Sequence, residues 1–172
     1  ASLPVDMKLG RQEIKLDGWR LFGNTIWTPG MQTHDAVTFH HNHDNMKLVA
    51  GFIRAREDSR VVELDDGNDG NVFLVHANFK GVLGGQFSGI YTFFDNGCSP
   101  VTANAATAAV DCNNGENNFH TIGGRQAGKM FGLDYRGEYY YQFGQADGIA
   151  TVNNGGAGTI DTDRSAYMFG LR

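Results

Sequence analysis

The sequence predicts an all-β protein, an antiparallel outer-membrane-type transmembrane β-barrel with about eight strands in this chain of 172 residues. Segments of about ten residues alternate between apolar and polar side chains, which is the period of a β-strand. Glycine and aromatic residues are abundant, with 24 Gly, 12 Phe and 6 Tyr. The connections are alternately short and long, as in barrels with short periplasmic turns and long exterior loops.

The predicted strands cover residues 5–16, 33–43, 46–56, 71–83, 86–94, 118–131, 133–145 and 163–171. Tight hairpins are expected at residues 44–45, 84–85 and 132–134, where Gly, Asp and Asn favour turns. Long polar loops are expected at 57–70, 95–117 and 146–162. We expect residues 1–172 to form a single β-barrel domain or a segment of a barrel.

The strand at 133–145 shows which face should meet the membrane. Leu133, Tyr135 and Tyr139 alternate with Asp134 and Arg136. We predict that the aromatic side meets hydrocarbon, because an Arg or Lys at the centre of the bilayer costs about 2–4 kcal/mol. Strand 46–56 fits less well, since Arg54 is in phase with Phe52 and a bulge or a packed interior is needed.

Charge is distributed unevenly along the chain. The long loops hold most of the acidic residues but only one basic residue, Arg60, so the strands and short turns carry a surplus of basic residues. No run of about 18 apolar residues is present, which excludes a helical membrane protein. The mean hydropathy of −0.35 suits a soluble protein and a β-barrel equally.

Six short motifs follow one another along the chain: GRQE at 10–13, DGWRLFG at 17–23, Trp27, HDAV at 34–37, TIGGR at 121–125 and DYRGEYYYQFG at 134–144. Over most of the chain this series resembles the alginate export porin family of outer-membrane β-barrels. One departure is HDA at 34–36, where the family usually has FDG.

The resemblance implies a larger barrel of about eighteen strands whose lumen is lined by cationic side chains. Eight strands alone enclose an interior only wide enough for side chains. We therefore expect the chain to be a segment of a larger barrel, or to need further chains or missing strands to complete the wall. The lumen positions that follow from the resemblance and from strand phase are Arg11, Arg20, Arg54, Arg56, Lys80, Arg125, Lys129 and Arg136.

Two groups of residues are weak candidates for a metal site. His41 and His43 share a strand face and would need a third ligand, and Asp65 and Asp69 lie in an acidic Gly-rich loop. A polar strand end and a solvated loop explain both groups better, because the loop lacks the bidentate Glu of a calcium-binding EF-hand. We therefore expect no metal and no cofactor.

The segments outside the strands carry two further predictions. Cys98 and Cys112 close a Gly/Asn/Ala-rich stretch and are predicted to form a disulfide, which requires an oxidising compartment. Residues 17–32, with Trp19 and Trp27, do not alternate. They either fold inward as a constriction or anchor the protein at the membrane interface.

The sequence predicts a porin in the bacterial outer membrane for passive diffusion or export of anionic or polar solutes, such as acidic polysaccharides or small anions. No catalytic motif is present, so an enzyme is not expected. The expected partners are the lipid bilayer and these solutes, with no nucleic acid. One alternative is a structural or binding barrel with a packed, non-conducting interior and partner-binding exterior loops, and another is a soluble secreted β-barrel.

Overall fold

The computed structural model describes residues 4–23, 32–56, 70–96, 118–145, 148–152, 156–160 and 163–172. Their regular secondary structure is entirely β: β1 (Asp6–Gln12), β2 (His34–His43), β3 (Met46–Arg56), β4 (Gly70–Val82), β5 (Gly85–Asn96), β6 (Phe119–Met130), β7 (Leu133–Gln145), β8 (Gly148–Val152), β9 (Gly156–Ile160) and β10 (Asp163–Leu171). Within these ranges, no helix has the length and apolarity to cross a membrane.

Eight of the strands form one antiparallel sheet in the order β1-β2-β3-β4-β5-β6-β7-β10, and β8 pairs with β9 in a separate hairpin. This confirms the predicted all-β antiparallel fold with about eight strands. The sheet is not closed, because β1 pairs only with β2 and β10 pairs only with β7 among the described strands. The described strands therefore form an open wall with two unpaired edges.

Three short turns join strands at one end of the sheet, called here the short-turn end; the opposite end is the long-loop end. Leu83 and Gly84 have φ of 48° and 70°, and Phe131 and Gly132 have φ of 53° and 80°. Positive φ at both central residues defines type I′ hairpins, whose twist matches that of the strands. The turns therefore begin about one residue before the predicted positions 84–85 and 132–134. In each turn the first central residue is a bulky one, Leu83 or Phe131, and not a glycine.

Strand β1 is shorter than the prediction of 5–16. It ends at Gln12, and residues 13–23, called here the inward segment, leave the sheet. Ile14 and Leu16 then become part of the buried core. The alternation of residues 13–16 therefore reflects packing against the sheet and not pairing within it. The predicted loop at 146–162 also differs, because it contains the β8-β9 hairpin.

The register divides the side chains into two faces, since residues directly opposite each other in an antiparallel pair point to the same side. One face, the aromatic face, exposes large apolar side chains on every strand of the sheet; Tyr139 is 53% exposed and Tyr167 is 72% exposed. Its members include Met7, Leu9, Phe39, Phe52, Phe73, Val75, Phe79, Phe87, Tyr91, Ile122, Leu133, Tyr139, Phe143, Tyr167, Phe169 and Leu171.

Ring contacts run across the aromatic face from strand to strand. Phe52 contacts Phe73 with a centroid separation of 5.2 Å, and Phe73 contacts Phe93 at 6.1 Å. His120 then stacks between Phe93 at 4.6 Å and Phe143 at 5.0 Å. Such cross-strand aromatic pairs each stabilise a sheet by a few tenths of a kcal/mol to about 1 kcal/mol. Together they fix the register of β3 to β7.

Gln126 is an unexpected polar residue on the aromatic face, and its amide is satisfied internally. Its Nε2 donates to the Val82 carbonyl oxygen at 2.8 Å and lies 3.1 Å from the Tyr135 hydroxyl. That hydroxyl donates to the Leu83 carbonyl oxygen at 2.6 Å. Because these partners replace water, Gln126 is tolerated near the short-turn end of an otherwise apolar surface.

Candidate functional site: the polar face of the sheet

The second face of the sheet, called here the polar face, changes in character along the strands. Near the long-loop end, successive register partners form an apolar row: Ala36, Ile53, Val72, Phe94 and Phe119. Leu74 lies in the next row and is 1% exposed, while Ile53 is fully buried. This half of the polar face is therefore a packed core.

The short-turn half of the polar face is charged. One row of register partners contains Lys47, Asn78, Ser88, Arg125 and Glu138, the next contains Lys80, Gln86, Ala127 and Arg136, and the last contains Lys129 and Asp134. On β2 to β7, every described Lys or Arg side chain of this face lies in these rows. We call Lys47, Lys80, Arg125, Lys129, Arg136 and the adjacent Arg172 the basic zone.

A cavity of about 520 Å³ opens in the basic zone. Four cationic side chains and one carboxylate contribute to its lining: Arg125, Lys129, Arg136, Arg172 and Asp134. Lys129 Nζ lies 3.3 Å from Asp134 Oδ1 and is paired with it. In the described part of the chain, no carboxylate lies within ion-pair distance of the other three. The cavity therefore has an excess of positive charge, and an anion entering it would be attracted.

The inward segment covers the polar face next to the basic zone. Ile14 and Leu16 join the same buried cluster as Leu74 and Tyr140, and Phe22 packs against that cluster. The segment therefore reaches from the core of the early strands towards β7. This placement favours the predicted inward fold over the interfacial-anchor alternative for residues 17–23, although the Trp19 side chain itself remains 45% exposed.

Two polar contacts attach the inward segment to the sheet. Asp17 Oδ2 lies 3.0 Å from His76 Nε2 on β4, and both side chains are largely buried. Arg20 Nε lies 2.7 Å from Glu138 Oε1 on β7, where the Glu138 side chain is 2% exposed. The segment therefore bridges strands that are three positions apart in the sheet.

The Asp17 carboxyl has a lowered pKa. Burial alone would raise the pKa, but hydrogen bonds from His76 and Ser88, together with the charges of His76 and Arg125, outweigh it and hold the pKa of Asp17 below its ordinary value of 3.8. The carboxylate therefore stays ionised near neutral pH. Its negative charge partly compensates the cations beside it.

Two buried atoms in this region have no hydrogen-bond partner among the described residues: Arg125 Nε and Glu138 Oε2. They belong to side chains that face each other directly in the β6-β7 register. Each of the two carboxylates of this region, Asp134 and Glu138, is paired with another cation. Lys129 pairs with Asp134, whereas Glu138 binds Arg20 from the inward segment.

Of the predicted lumen residues whose side chains are described, one group lies at the polar face and another at the aromatic face. Arg20, Lys80, Arg125, Lys129 and Arg136 lie on or against the polar face. The register places Arg11 and Arg54 on the aromatic face at its long-loop end, so they do not join this group. Arg11 forms a bidentate pair with Asp35 at 2.7 and 3.0 Å, and Arg54 donates to Asn71 at 3.0 Å.

The bulge predicted for strand 46–56 is present as a register shift between Arg54 and Arg56. It comes too late in the strand to move Arg54 away from the face of Phe52. Several predicted residues lie outside the described side chains: Trp27, Arg56, Asp65, Asp69, Cys98 and Cys112.

The two histidines proposed for a metal site stack on each other at a centroid distance of 6.3 Å. His41 Nδ1 lies 2.8 Å from the Pro4 carbonyl oxygen, and His43 lies 3.7 Å from Asp44. Across the described ranges, no group of three or more metal-ligating side chains assembles. The two histidines lie at the end of β2 beside its hairpin.

Five residues that the site description uses were not among the predicted lumen positions: Asp17, Lys47, His76, Glu138 and Arg172. A signal existed for Lys47, because it lies an odd number of residues from Arg54 and therefore points to the opposite face. No such signal existed for Asp17. Its role depends on the path of a segment that has no strand periodicity.

An antiparallel sheet with one exposed aromatic face and one polar face is typical of the wall of an outer-membrane β-barrel. The sequence profile described as "Alginate export" matches residues 1–171, and the chain belongs to this family. Its members are non-enzymatic β-barrels of the bacterial outer membrane that serve as export porins. No curated protein and no solved structure matches the chain.

Proposed function

We propose that this chain forms part of the wall of an outer-membrane porin. The porin passes anionic or polar solutes, such as acidic polysaccharides or small anions, by passive diffusion or export. The basic zone carries this proposal. Arg125, Arg136 and Arg172 line one cavity without a carboxylate partner in the described residues. Guanidinium groups present several donors at once and bind carboxylates in two-point geometry.

The mechanism requires attraction without tight binding. Inward cations replace part of the hydration of an anion and raise its local concentration. Spreading those cations over three rows of the sheet keeps each contact weak, so that a solute moves from one to the next. No cofactor takes part in such a process.

The position of the basic zone favours export. In barrels of this class the short turns face the periplasm and the long loops face the exterior. The basic zone lies in the short-turn half, close to the hairpins at Leu83-Gly84 and Phe131-Gly132. An anion arriving from the periplasm would therefore meet the cations first.

The free edges of the sheet support a composite wall. The exposed backbone groups of β1 and β10 would be costly in hydrocarbon, because no water is available to satisfy them. Strands from further chains, or from elsewhere in a longer protein, would pair with these edges and widen the barrel. The residues described here then form a segment of a single barrel domain.

Planar-bilayer recording tests the proposal. We expect anion preference in a salt gradient and a fall of about threefold or more in the anion-to-cation permeability ratio when Arg125 and Arg136 are both changed to Gln. Lys8→Gln is the matched control, since Lys8 lies on the polar face of β1 outside the basic zone. Equal permeability ratios in all three proteins would refute an anion path through this zone.

A second candidate function is a structural or binding barrel with a non-conducting interior. It is favoured by the inward segment, whose Ile14 and Leu16 fill part of the polar face with a packed core. Its acidic exterior loops would then contact a partner. A fully reconstituted protein that never conducts would support this candidate over the channel.

A further inference from the structure

The contacts of the inward segment are arranged differently from the packing of an ordinary core loop. Its apolar anchors, Ile14 and Leu16, belong to the buried core, whereas its two polar anchors lie where the core meets the charged half: His76 is in the row next to the charged rows and Glu138 is in the first of them. Asp17 binds His76, and Arg20 binds Glu138. The residues that follow the apolar anchors are therefore held by electrostatic contacts beside the basic zone.

These electrostatic contacts leave the sheet incompletely satisfied. Arg125 Nε and Glu138 Oε2 are both buried without a partner, although their side chains are direct neighbours across β6 and β7. A buried donor or acceptor without a partner is unfavourable. Glu138 Oε1 is bound by Arg20, while Glu138 Oε2 and Arg125 Nε remain without a partner among the described residues.

An alternative pairing is available when the segment moves. If Arg20 leaves, Arg125 already stands opposite Glu138 and supplies a replacement guanidinium. The buried Glu138 carboxylate would then still have a positive charge beside it. The free energy lost when Arg20 leaves would therefore be smaller than for a buried carboxylate left without any partner. Gly18 lies where a side chain would contact both Arg125 and Arg136, so departure of the segment would also uncover the basic zone.

We propose that residues 13–23 form a displaceable gate over the polar face, latched by Arg20 on Glu138, with Arg125 as the exchange partner of Glu138 when the gate opens. The docked gate narrows the region beside the basic zone, and the displaced gate exposes it. This proposal rests on the proposed channel for its purpose, but the movement itself is measurable without any conductance.

Cysteine labelling in lipid vesicles tests the movement. Leu16, which is 9% exposed, is changed to Cys in a protein whose Cys98 and Cys112 are Ser, and a water-soluble maleimide reports uncovering. Loss of a charge-assisted hydrogen bond in Arg20→Gln should accelerate labelling roughly tenfold. Lys15→Gln is the control, because Lys15 pairs with Glu13 inside the segment and leaves the latch intact.

Rescue separates a latch from general damage. The conservative variant Arg20→Lys, which keeps a positive charge opposite Glu138, should return labelling to within about twofold of the native rate. If Arg20→Gln does not fold, Arg20→Lys replaces it, with a smaller acceleration of about twofold because the charge is kept and the planar donor is lost.

Three outcomes overturn the gate: unchanged labelling in Arg20→Gln, equal acceleration in Lys15→Gln, or labelling of Arg20→Lys as fast as that of Arg20→Gln. A barrel that is silent in planar bilayers yet labels as expected would refute the channel and retain the movable segment. A conducting, anion-selective barrel with unchanged labelling would retain the channel and refute the gate.

Discussion

The two halves of the polar face belong to the same strands but differ in what occupies the space above them. In the long-loop half, Ile53, Leu74 and Ile90 are buried with Leu16 of the inward segment. In the short-turn half, Arg125, Arg136 and Lys129 surround an open cavity. One half stabilises the fold by packing, and the other leaves charged side chains around an open cavity. The boundary between them is where Arg20 and Asp17 attach.

The largest expected effect comes from the packed half. Leu74→Ala should destabilise the protein by about 2–5 kcal/mol, because it leaves a cavity in a fully packed region. Val75→Ala, the next residue and 45% exposed on the aromatic face, should cost below about 1 kcal/mol. Urea unfolding in lipid vesicles measures both. Similar losses at the two positions would contradict a packed core under the long-loop half.

Substitutions at two glycines, one on each face of the sheet, are expected to change the stability by an intermediate amount. A Cβ at Gly123 would collide with the Tyr140 ring on the polar face, whereas the nearest atom to a Cβ at Gly89, on the aromatic face, is 3.9 Å away. Gly123→Ala should therefore cost about 1–3 kcal/mol through overpacking. Gly89→Ala should lie within about 0.5 kcal/mol of the native protein by the same unfolding measurement.

The smallest expected effect is pH-dependent and concerns the boundary. Because the folded-state pKa of Asp17 is lowered, the stabilisation it provides is complete above its ordinary pKa of 3.8 and is lost as the pH falls through the lowered value. Native protein and Asp17→Asn should differ in stability by a constant amount near neutral pH and converge in acid. A difference that grows on acidification would show that the carboxylate is not stabilised by His76, Ser88 and Arg125.

Strand periodicity predicts most of this architecture. The alternation in β7 assigns Tyr139 to one face and Arg136 and Glu138 to the other, because a period of two leaves no freedom once one face is known. The assignment of Arg11 and Arg54 to the lumen is not supported by the register. The resemblance to the family predicts that arginines in these strands point into the lumen. The strand period, however, places Arg54 on the same face as Phe52, which is the aromatic face.

The interior is less predictable than the wall. Nothing in local sequence indicates that Asp17 meets His76, since the two residues are 59 positions apart and the segment has no regular period. The long-loop half also contains apolar residues such as Ile53 and Leu74 on the face that was predicted to be polar. Their burial depends on Ile14 and Leu16, which the alternation had assigned to a longer first strand.

The central claim is that the aromatic face contacts hydrocarbon and the polar face does not. Nitroxide labels placed singly at residues 139, 140, 141, 142 and 143 of β7 in lipid vesicles test it by collision with oxygen, which concentrates in lipid, and with a water-soluble nickel complex. We predict high oxygen accessibility at Tyr139, Tyr141 and Phe143, and low values at Tyr140 and Gln142 between them. Oxygen accessibility that peaks instead at Tyr140 and Gln142, or that does not alternate, would contradict the account.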